Sequence, residues 1–374
     1  MRYLISGGGT GGHIYPALAV CEALNEVDEN SEVLYVGTRN GLESRIVPAY
    51  GIRLATIQSG GIAGKSPIKA LKGAMAATKG FVESTKTVRS FRPDAALGTG
   101  GYVSGPVMLA CWLAGVPIGI QEQNAMPGMT NRILSRIANR VFLAFPGSKR
   151  CFPTGATRKA VVLGNPIRRS IVTTPKGAGY WAFGIEPGWR TVVVFGGSRG
   201  AEPLVFGALD VAKESRQRRV VFLVITGNAS FERARAIVET SGISYDQGGN
   251  VILRPYVEEM HLAYSVAELV VARAGGLTVS ELAARGIPSV LVPSPYVAGR
   301  HQEHNAAVLA ESGGAVVVHE GKQFVVQLKR VLDDLLGDAE KLKQMGERAK
   351  RVGKPDAARD IACQLYEMAR RSHR

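Results

Sequence analysis

The sequence has few of the features that mark disulfide-rich, zinc-ribbon or membrane-spanning proteins. Only four of its 374 residues are cysteines, and no two of them form a C-x-x-C pair. This spacing excludes a zinc ribbon and a disulfide framework, and it favours a reducing compartment. The apolar stretch before the first glycines is too short for a signal peptide, and the longest apolar run, 106–120, is shorter than the ~20 residues that span a bilayer. We therefore expect a soluble or peripheral protein.

Several catalytic motifs are also missing. The sequence contains no G-x-S-x-G nucleophile elbow, no GxxxxGK[ST] phosphate loop and no H-E-x-x-H zinc motif. It has no Asp-X-Asp pair of the kind that holds a metal-bound sugar nucleotide; Asp333 and Asp334 lie in a helical pattern far from any glycine-rich loop. What remains fits a reaction that needs a cradle for a diphosphate and one base. Direct displacement on a nucleotide sugar is such a reaction.

Acidic residues are scarce relative to basic ones. Lys and Arg total 46 against 31 Asp and Glu, which gives a formal net charge of +15 and a pI near 9.8. This excess predicts an anionic partner, whether nucleic acid, acidic lipid or a phosphorylated substrate. Because no RNP1, helix-turn-helix or zinc-finger pattern is present, we expect no nucleic acid partner, and a basic nucleic-acid-binding protein stays only as a remote alternative.

The segment 60–93 mixes basic and apolar residues. It has one acid, Glu83, and seven basic residues: Lys65, Lys69, Lys72, Lys79, Lys86, Arg89 and Arg92. The apolar residues interleaved with them are Ile62, Ile68, Leu71, Met75, Phe81 and Val82. Such a stretch is typical of docking to an anionic membrane surface. The alternative is a solvated helix face whose apolar residues belong to the core.

Short β-rich runs alternate with helical patterns along the whole chain. This alternation predicts the α/β class, with open parallel sheets covered by helices on both faces. The pattern restarts after a stretch rich in Gly and Pro at 173–188, which we interpret as a loop. We predict two doubly wound Rossmann-like domains, 1–163 and 164–340, followed by a helical segment, 341–374, that can pack back on the first domain.

Glycine is abundant, at 45 residues, and four glycine-rich loops follow predicted strands. They are GGGTGGH (7–13), GTGGYVSGP (98–106), GGSRGAE (196–202) and RAGGLTVSELAARG (273–286). In doubly wound sheets, ligands bind at the carboxyl ends of strands where the strand order reverses. Glycines at the start of a helix leave backbone N–H groups for an anion, so we expect phosphate sites here.

Two of these loops leave alternatives open. The first matches the dinucleotide fingerprint G-x-G-x-x-G, but the next predicted strand ends in Gly37, Thr38 and Arg39 without the acidic residue that holds a ribose. Because Arg39 could take a 2′-phosphate, an NADP enzyme is an alternative. In the fourth loop, Thr278 and Glu281 have the spacing of a capping box, so Glu281 could simply cap its own helix.

Six motifs occur in order along the chain and together resemble the MurG family of peptidoglycan N-acetylglucosaminyltransferases. They are GGGTGGHIYPALA, LGTGGYVSGP, EQNAMPG, GNPIR, FGGSRGA and AGGLTVSELAARGIPSVLVP. The resemblance implies the GT-B architecture, two Rossmann-like domains with a deep cleft between them. It implies inverting transfer of GlcNAc from UDP-GlcNAc to lipid I (undecaprenyl-diphospho-MurNAc-pentapeptide), giving lipid II, by a peripheral enzyme at the cytoplasmic face of the plasma membrane. Another GT-B transferase or a UDP-GlcNAc epimerase is the alternative.

The resemblance also assigns roles to residues. It gives the acceptor and the membrane to the first domain and UDP-GlcNAc to the second. The residues expected to line the substrate sites are Thr10, Gly11, Gly12, Tyr102, Asn124, Arg168, Ser198, Val257, Gly276, Leu277, Thr278, Val279, Ser280, Glu281, His301 and Gln302. The family often has two glutamines where this chain has His301 and Gln302.

Two residues are candidates for the general base. His13 is the only histidine of the first domain and lies in a glycine-rich stretch, and an imidazole ordinarily titrates near pH ~6.5. Glu122 is its competitor. Helix N-termini behind Ser198 and Thr278, together with Arg168, would stabilise the leaving diphosphate, so we expect neither a metal ion nor a cofactor to be required.

Overall fold

The computed structural model describes residues 1–59, 67–186, 188–196, 201–215, 219–241, 243 and 249–372. The chain forms two compact units: Met1–Arg168 with Lys354–Arg374, and Arg169–Gly353. The chain therefore leaves unit 1 after Arg168 and returns to it at Lys354.

Unit 1 contains a seven-stranded sheet in which every pair of neighbours is parallel. Its strands are β1 Arg2–Gly7, β2 Glu32–Thr38, β3 Arg53–Ile57, β4 Ala95–Gly100, β5 Ile118–Glu122, β6 Arg140–Leu143 and β7 Ala160–Val162. Their order is β3-β2-β1-β4-β5-β6-β7. The order reverses between β1 and β4, so the loops after these two strands border the topological switch point.

Helices cover both faces of this sheet. They are α1 Gly11–Val27, α2 Glu43–Ala49, α3 Pro67–Phe91, α4 Ser104–Leu113, α5 Met129–Leu134 and α6 Thr154–Thr157. Because successive side chains of a strand point to opposite faces, β1 contributes Tyr3 and Ile5 to the core under α1 and Leu4 to the core under α3 and α4.

Unit 2 contains a six-stranded parallel sheet of the same kind. Its strands are β8 Arg190–Phe195, β9 Val220–Ile225, β10 Val251–Arg254, β11 Leu269–Ala272, β12 Ser289–Leu291 and β13 Ala315–Val317. Their order is β10-β9-β8-β11-β12-β13, so the switch point lies between β8 and β11. Near-continuous apolar strands such as VVFLVI in β9 are expected of a parallel sheet buried on both faces.

Nine helices of the described residues belong to unit 2. They are α7 Arg169–Thr173, α8 Tyr180–Phe183, α9 Glu202–Ser215, α10 Phe231–Thr240, α11 Met260–Val266, α12 Gly276–Arg285, α13 His301–Glu311, α14 Phe324–Gly337 and α15 Ala339–Val352. The stretch 173–188, which we interpreted as a loop, thus contains the single turn α8. A kinked helical turn, Ala298–Arg300, precedes α13.

The last helix, α16 (Ala357–Ser372), belongs to unit 1, whereas α15 belongs to unit 2. Ile361, Ala362 and Leu365 of α16 are fully buried in the same core cluster as α1. The segment 341–374, which the sequence analysis treated as one piece, is therefore divided at Gly353.

The predicted fold class is confirmed, since each unit is a doubly wound parallel sheet with helices on both faces. Among the described residues, no helix is both long enough and apolar enough to cross a membrane.

Candidate functional site

In unit 1, the loops after β1 and β4 are hydrogen-bonded to each other at the switch point. The Gly8 N–H donates to the Gly100 carbonyl at 3.3 Å, and the Thr99 hydroxyl donates to the His13 carbonyl at 2.8 Å. From β2, the Tyr35 hydroxyl donates to the Gly7 carbonyl at 2.7 Å. The backbone of the glycine-rich loop is therefore held by neighbours on both sides of β1.

The first predicted substrate-binding residues lie at the start of α1. Thr10 is its N-cap but forms no side-chain capping hydrogen bond, and Gly11 and Gly12 are its first two residues. The prediction that His13 lies in a loop is wrong, because the helix begins at Gly11 and His13 is in its first turn. Thr10 and Gly12 are exposed.

The ring of His13 is held in one tautomer by its contacts. Its Nδ1 lies 3.1 Å from the Gly8 carbonyl oxygen and 3.2 Å from the Thr10 hydroxyl. A carbonyl can only accept, so Nδ1 carries the proton that is donated to Gly8. In the neutral ring Nε2 is then the nitrogen that can receive a proton. Gly100, whose φ is +106°, makes room for this edge of the ring, since a Cβ there would lie 3.1 Å from Nε2.

Glu122, the other candidate base, is buried at the end of β5 and accepts hydrogen bonds at both carboxylate oxygens. Oε1 accepts from the backbone N–H and the side-chain amide of Asn124, at 3.0 and 3.2 Å. Oε2 accepts from the Gly128 N–H at 3.0 Å and the Asn131 amide at 2.9 Å. This carboxylate therefore closes the EQNAMPG turn on itself and fixes the position of Asn124.

Arg168 is buried and contacts two tyrosines. Its Nη1 donates to the Tyr50 hydroxyl at 3.0 Å, and its guanidinium lies 4.5 Å from the centroid of the Tyr15 ring. The Tyr15 ring packs beside Gly11 at the start of α1. Tyr102, in the loop after β4, is partly exposed and packs against Gly9. Unit 1 thus brings Arg168 and Tyr102 to the glycine-rich loop and the first turn of α1, where Thr10 and His13 lie.

In unit 2, the third glycine-rich loop leads from β8 to α9, and Ser198 lies outside the described residues. The fourth loop leads from β11 to α12, which begins at Gly276 with Gly275 as its N-cap. These two loops follow the strands that border the second switch point. A ten-residue helix that begins on glycines presents backbone N–H groups and the positive end of its dipole.

The capping-box interpretation of Thr278 and Glu281 is wrong. Thr278 is the third residue of α12, so it cannot cap the helix, and Gly275 occupies the N-cap position. Glu281 instead accepts a hydrogen bond from the buried Tyr264 hydroxyl, with 2.9 Å between Tyr264 Oη and Glu281 Oε2. The other predicted residues of α12, Leu277, Val279 and Ser280, lie in its first two turns.

The remaining predicted residues of unit 2 lie after β10 and at the start of α13. Val257 is in the loop between β10 and α11. His301 and Gln302 are the first two residues of α13, and Gln302 Oε1 accepts from the Ser294 N–H at 2.8 Å. The amide of Asn305 donates to the Ala274 carbonyl at 3.1 Å, so α13 is tied to the loop that precedes α12.

Sequence reasoning missed several polar residues that hold these loops. Glu43, the first residue of α2, is completely buried and accepts from the Gly9 N–H at 3.3 Å and from the Thr38 N–H and hydroxyl at 3.0 and 2.6 Å. A buried amide network ties the EQN and GNP motifs together: Gln121, Gln123, Asn131 and Asn165. Gln123 lies in the EQNAMPG motif and Asn165 in the GNPIR motif, whereas no motif marked Gln121 or Asn131.

Comparison with known proteins identifies the family. The model of the glycosyltransferase family 28 N-terminal domain matches residues 3–143, and that of its C-terminal domain matches residues 191–361. A relative from Moorella thermoacetica is 42% identical over 362 residues, which cover 96% of this chain and 97% of the relative. Its name is UDP-N-acetylglucosamine–N-acetylmuramyl-(pentapeptide) pyrophosphoryl-undecaprenol N-acetylglucosamine transferase. The chain belongs to glycosyltransferase family 28.

Solved structures agree with this family 28 assignment. The crystal structure of Acinetobacter baumannii MurG is 28% identical, with a TM-score of 0.73, covering 98% of this chain and 99% of the other. The predicted resemblance to MurG is therefore confirmed. UDP-GlcNAc 2-epimerase from Neisseria meningitidis, bound to UDP-GlcNAc, is 16% identical with a TM-score of 0.69, covering 98% of this chain and all of the epimerase. At that identity the epimerase shares the fold alone.

Proposed function

We propose that this family 28 enzyme transfers GlcNAc from UDP-GlcNAc to lipid I, with inversion at the anomeric carbon, and so forms lipid II for peptidoglycan synthesis. The observation that carries the proposal is the transferase name borne by nearly full-length relatives at 40 to 42% identity. The glycine-rich loops at both switch points support it, because each offers helix N-terminal N–H groups to a phosphate.

Unit 2 is the proposed site of the donor. The N-terminus of α12, with Gly276, would receive the diphosphate, and Ser198 after β8 would donate to it. Glu281 would accept from the ribose hydroxyls, Val257 would contact the uracil, and His301 and Gln302 would hold the GlcNAc hydroxyls. This assignment is supported by the tie between α13 and the loop before α12, which brings these elements together.

Unit 1 is the proposed site of the acceptor and the base. In an inverting displacement the acceptor hydroxyl oxygen attacks the anomeric carbon, the bond from that carbon to the diphosphate oxygen breaks, and UDP leaves with the electron pair. The hydroxyl proton must pass to a base, for which His13 Nε2 has the appropriate tautomer. Glu122 is the weaker candidate, because both of its oxygens already accept two hydrogen bonds each. Arg168, whose cation lies beside the Tyr15 ring, would approach the UDP phosphates.

The proposed membrane surface lies on α3, α4 and α5, which are neighbours in unit 1. Each exposes apolar side chains at helical spacing: Met75 and Val82 on α3, Leu109, Trp112 and Leu113 on α4, and Met129 and Ile133 on α5. Exposed basic residues lie on the same surface: Lys79, Lys86 and Arg89 on α3, Arg132 on α5, and Arg136 just after the end of α5. Phe81 instead packs against the core, Ile62 and Lys65 lie outside the described residues, and the side chains of Ile68, Lys69, Leu71 and Lys72 are not described.

An apolar surface with a basic rim fits an anionic bilayer, where a lipid-linked acceptor resides. We place the enzyme at the cytoplasmic face of the plasma membrane. The double variant Met129→Asp with Ile133→Asp should lose about tenfold or more in binding to phosphatidylglycerol vesicles, since each aspartate brings a charge into the contact. It should retain turnover on a short-chain acceptor. Val326→Asp, at an exposed apolar residue of α14, is the matched control, and equal vesicle binding by all three proteins would exclude this surface.

The reaction itself is tested by supplying UDP-GlcNAc with a lipid I analogue. We expect UDP release that depends on the acceptor, whereas an epimerase would consume UDP-GlcNAc without the acceptor. A nucleic-acid-binding protein would instead retain DNA on a filter in a salt-dependent manner. His13→Ala should lower turnover much more than affinity for UDP-GlcNAc. An unchanged turnover number would remove the base assignment.

A further inference from the structure

A single peptide group connects Glu43 to His13. The carbonyl of Gly8 and the N–H of Gly9 belong to the same peptide bond. The carbonyl accepts from His13 Nδ1 at 3.1 Å, and the N–H donates to Glu43 Oε2 at 3.3 Å. The two hydrogen bonds therefore lie in series, from the carboxylate through the planar peptide to the imidazole ring.

The contacts of Glu43 indicate that it is ionised. Oε2 accepts from the Gly9 N–H, and Oε1 accepts from both the N–H and the hydroxyl of Thr38. The carboxylate is completely buried, so its negative charge is stabilised by these donors and acts on them across a poorly screening interior. Gly8 packs directly on it, since a Cβ at Gly8 would lie 2.7 Å from Oε1. The loop thus approaches the carboxylate as closely as its backbone allows.

We propose that Glu43 is a positioning residue for the base, His13. In a hydrogen-bonded carboxylate–histidine pair the carboxylate acts on the ring directly; here Glu43 would have the same effect through the intervening Gly8–Gly9 peptide. Its charge polarises the peptide, because hydrogen bonds in a chain strengthen one another. The more negative Gly8 carbonyl holds the proton on Nδ1 and favours the imidazolium that forms when Nε2 takes the proton of the acceptor. This proposal rests on the assignment of His13 as the base.

Other titratable or charged groups lie near this part of unit 1. Tyr35 on β2 donates to the Gly7 carbonyl and interacts electrostatically with Glu43. The others among the described residues are Tyr15 on α1, Tyr102 after β4, Glu122 at the end of β5 and Arg168 after β7. Glu122 accepts from the Asn131 amide, which lies near Gly100 beside the His13 ring. Glu43 accepts a hydrogen bond from the same Gly8–Gly9 peptide group to which His13 donates. Its effect on His13 can therefore be separated from the effects of the other groups.

The test measures protonation of His13 directly in the full-length protein. The imidazole nitrogens are followed by ¹H–¹⁵N spectra between about pH 5 and 9, and His13 is assigned from its loss in His13→Gln. At a separation of roughly 8 Å, with an effective dielectric constant between about 20 and 80, Coulomb's law predicts that Glu43→Gln lowers the titration midpoint by at least about 0.4 pH unit. The turnover number should fall about three- to tenfold and its acidic limb should shift to lower pH, with the KM for UDP-GlcNAc unchanged.

Two further variants separate this effect from a loosened loop. Glu32→Gln removes one negative charge from an exposed ion pair with Arg2 on the same sheet, and it should leave the midpoint unchanged. Thr38→Val removes the hydroxyl that donates to Glu43, so the carboxylate should interact more strongly with its remaining donors, the Thr38 N–H and the Gly9 N–H. The titration midpoint of His13 should therefore rise. If both substitutions merely loosened the loop, the titration midpoint of His13 would fall in Thr38→Val as it does in Glu43→Gln. Thr38→Val also provides the test if Glu43→Gln does not fold.

The outcomes distinguish the proposal from the function on which it rests. An unchanged midpoint in Glu43→Gln, or a midpoint that is unchanged or lower in Thr38→Val, would overturn the role of Glu43. If His13→Gln retained full turnover, the base assignment would fail even though the midpoints shifted as expected. If His13→Gln abolished turnover while Glu43→Gln titrated like the unmodified protein, only the action through the peptide would fail.

Discussion

The hydrogen bond between Tyr264 and Glu281 offers a quantitative test of the proposed donor site. Both side chains are buried, at 2% and 6% exposure, and their oxygens are 2.9 Å apart. Tyr264→Phe removes the donor but keeps the ring, which packs edge-on against Phe195 with centroids 6.0 Å apart. The change therefore isolates the hydroxyl, and little of its effect should come from packing.

The expected magnitude follows from the charge of the acceptor. A hydrogen bond to an ionised group contributes about 1.5–3 kcal/mol, and its loss leaves the Glu281 carboxylate buried with one donor fewer. We expect Tyr264→Phe to lower the free energy of unfolding by this amount. Because Glu281 would also be less firmly held for the ribose, the KM for UDP-GlcNAc should rise about tenfold while kcat stays within about twofold, the pattern of lost uniform binding.

The assay is a double-mutant cycle with Glu281→Gln, followed by urea unfolding and by steady-state kinetics. The two substitutions should be non-additive by about 1–2 kcal/mol in the free energy of unfolding, since they remove one shared contact. Tyr296→Phe, at a tyrosine of the same unit that is 89% exposed, serves as the control. Additive free energies would refute the hydrogen bond, and an unchanged KM in Tyr264→Phe would refute its role in holding the donor.

Two further predictions concern unit 1. Burial raises the pKa of the Cys21 and Cys111 thiols to about 12. At pH ~8 only about one thiol in ten thousand is then the reactive thiolate, so Ellman's reagent should modify both cysteines only as the protein unfolds. Rapid labelling of either cysteine in the native protein would contradict their burial. A Cβ at Gly101 would overlap the Gly8 carbonyl oxygen, whereas at Gly115, with a similar positive φ, it would meet open space. Gly115→Ala should lose about 1–2 kcal/mol of stability and keep normal turnover. Gly101→Ala should lose more stability, and its turnover should be at least about tenfold slower, because the Gly8 carbonyl would be displaced. Equal turnover of the two variants would contradict a precise placement of Gly8.

The fold and the location of the loops could be predicted because they depend on local patterns. Alternating apolar strands and helical segments require parallel sheets, and glycines directly after a strand mark backbone that another group approaches closely. The loops at 7–13 and 98–106 thus follow the two strands that border one switch point, and those at 196–202 and 273–286 follow the two strands that border the other.

The partners of the site residues could not be predicted, because they depend on which strands are neighbours. Thr278 and Glu281 had the spacing of a capping box, but the helix begins two residues before Thr278 and Glu281 meets Tyr264 from α11. Glu43 has no sequence signal at all: it begins a short helix after a turn, and its importance arises only because β2 lies beside β1. Neither contact has a periodicity or a motif that a single sequence could show.

Among the described residues, three carboxylates are buried in this chain of net charge +15, Glu43 and Glu122 in unit 1 and Glu281 in unit 2, and backbone or side-chain donors stabilise each of them. Glu43 accepts from Gly9, Glu122 from its own turn and Glu281 from Tyr264. Burying a carboxylate without such partners costs several kcal/mol, so Glu43 and Glu122 constrain the loops that supply their donors, and Glu281 ties α12 to α11. The loop at 7–13 and the turn at 122–128 are therefore held by hydrogen bonds that need no ligand, and we expect their remaining N–H donors to be preorganised. Such preorganised donors stabilise a developing negative charge without rearranging during the reaction, which is what a departing nucleoside diphosphate requires.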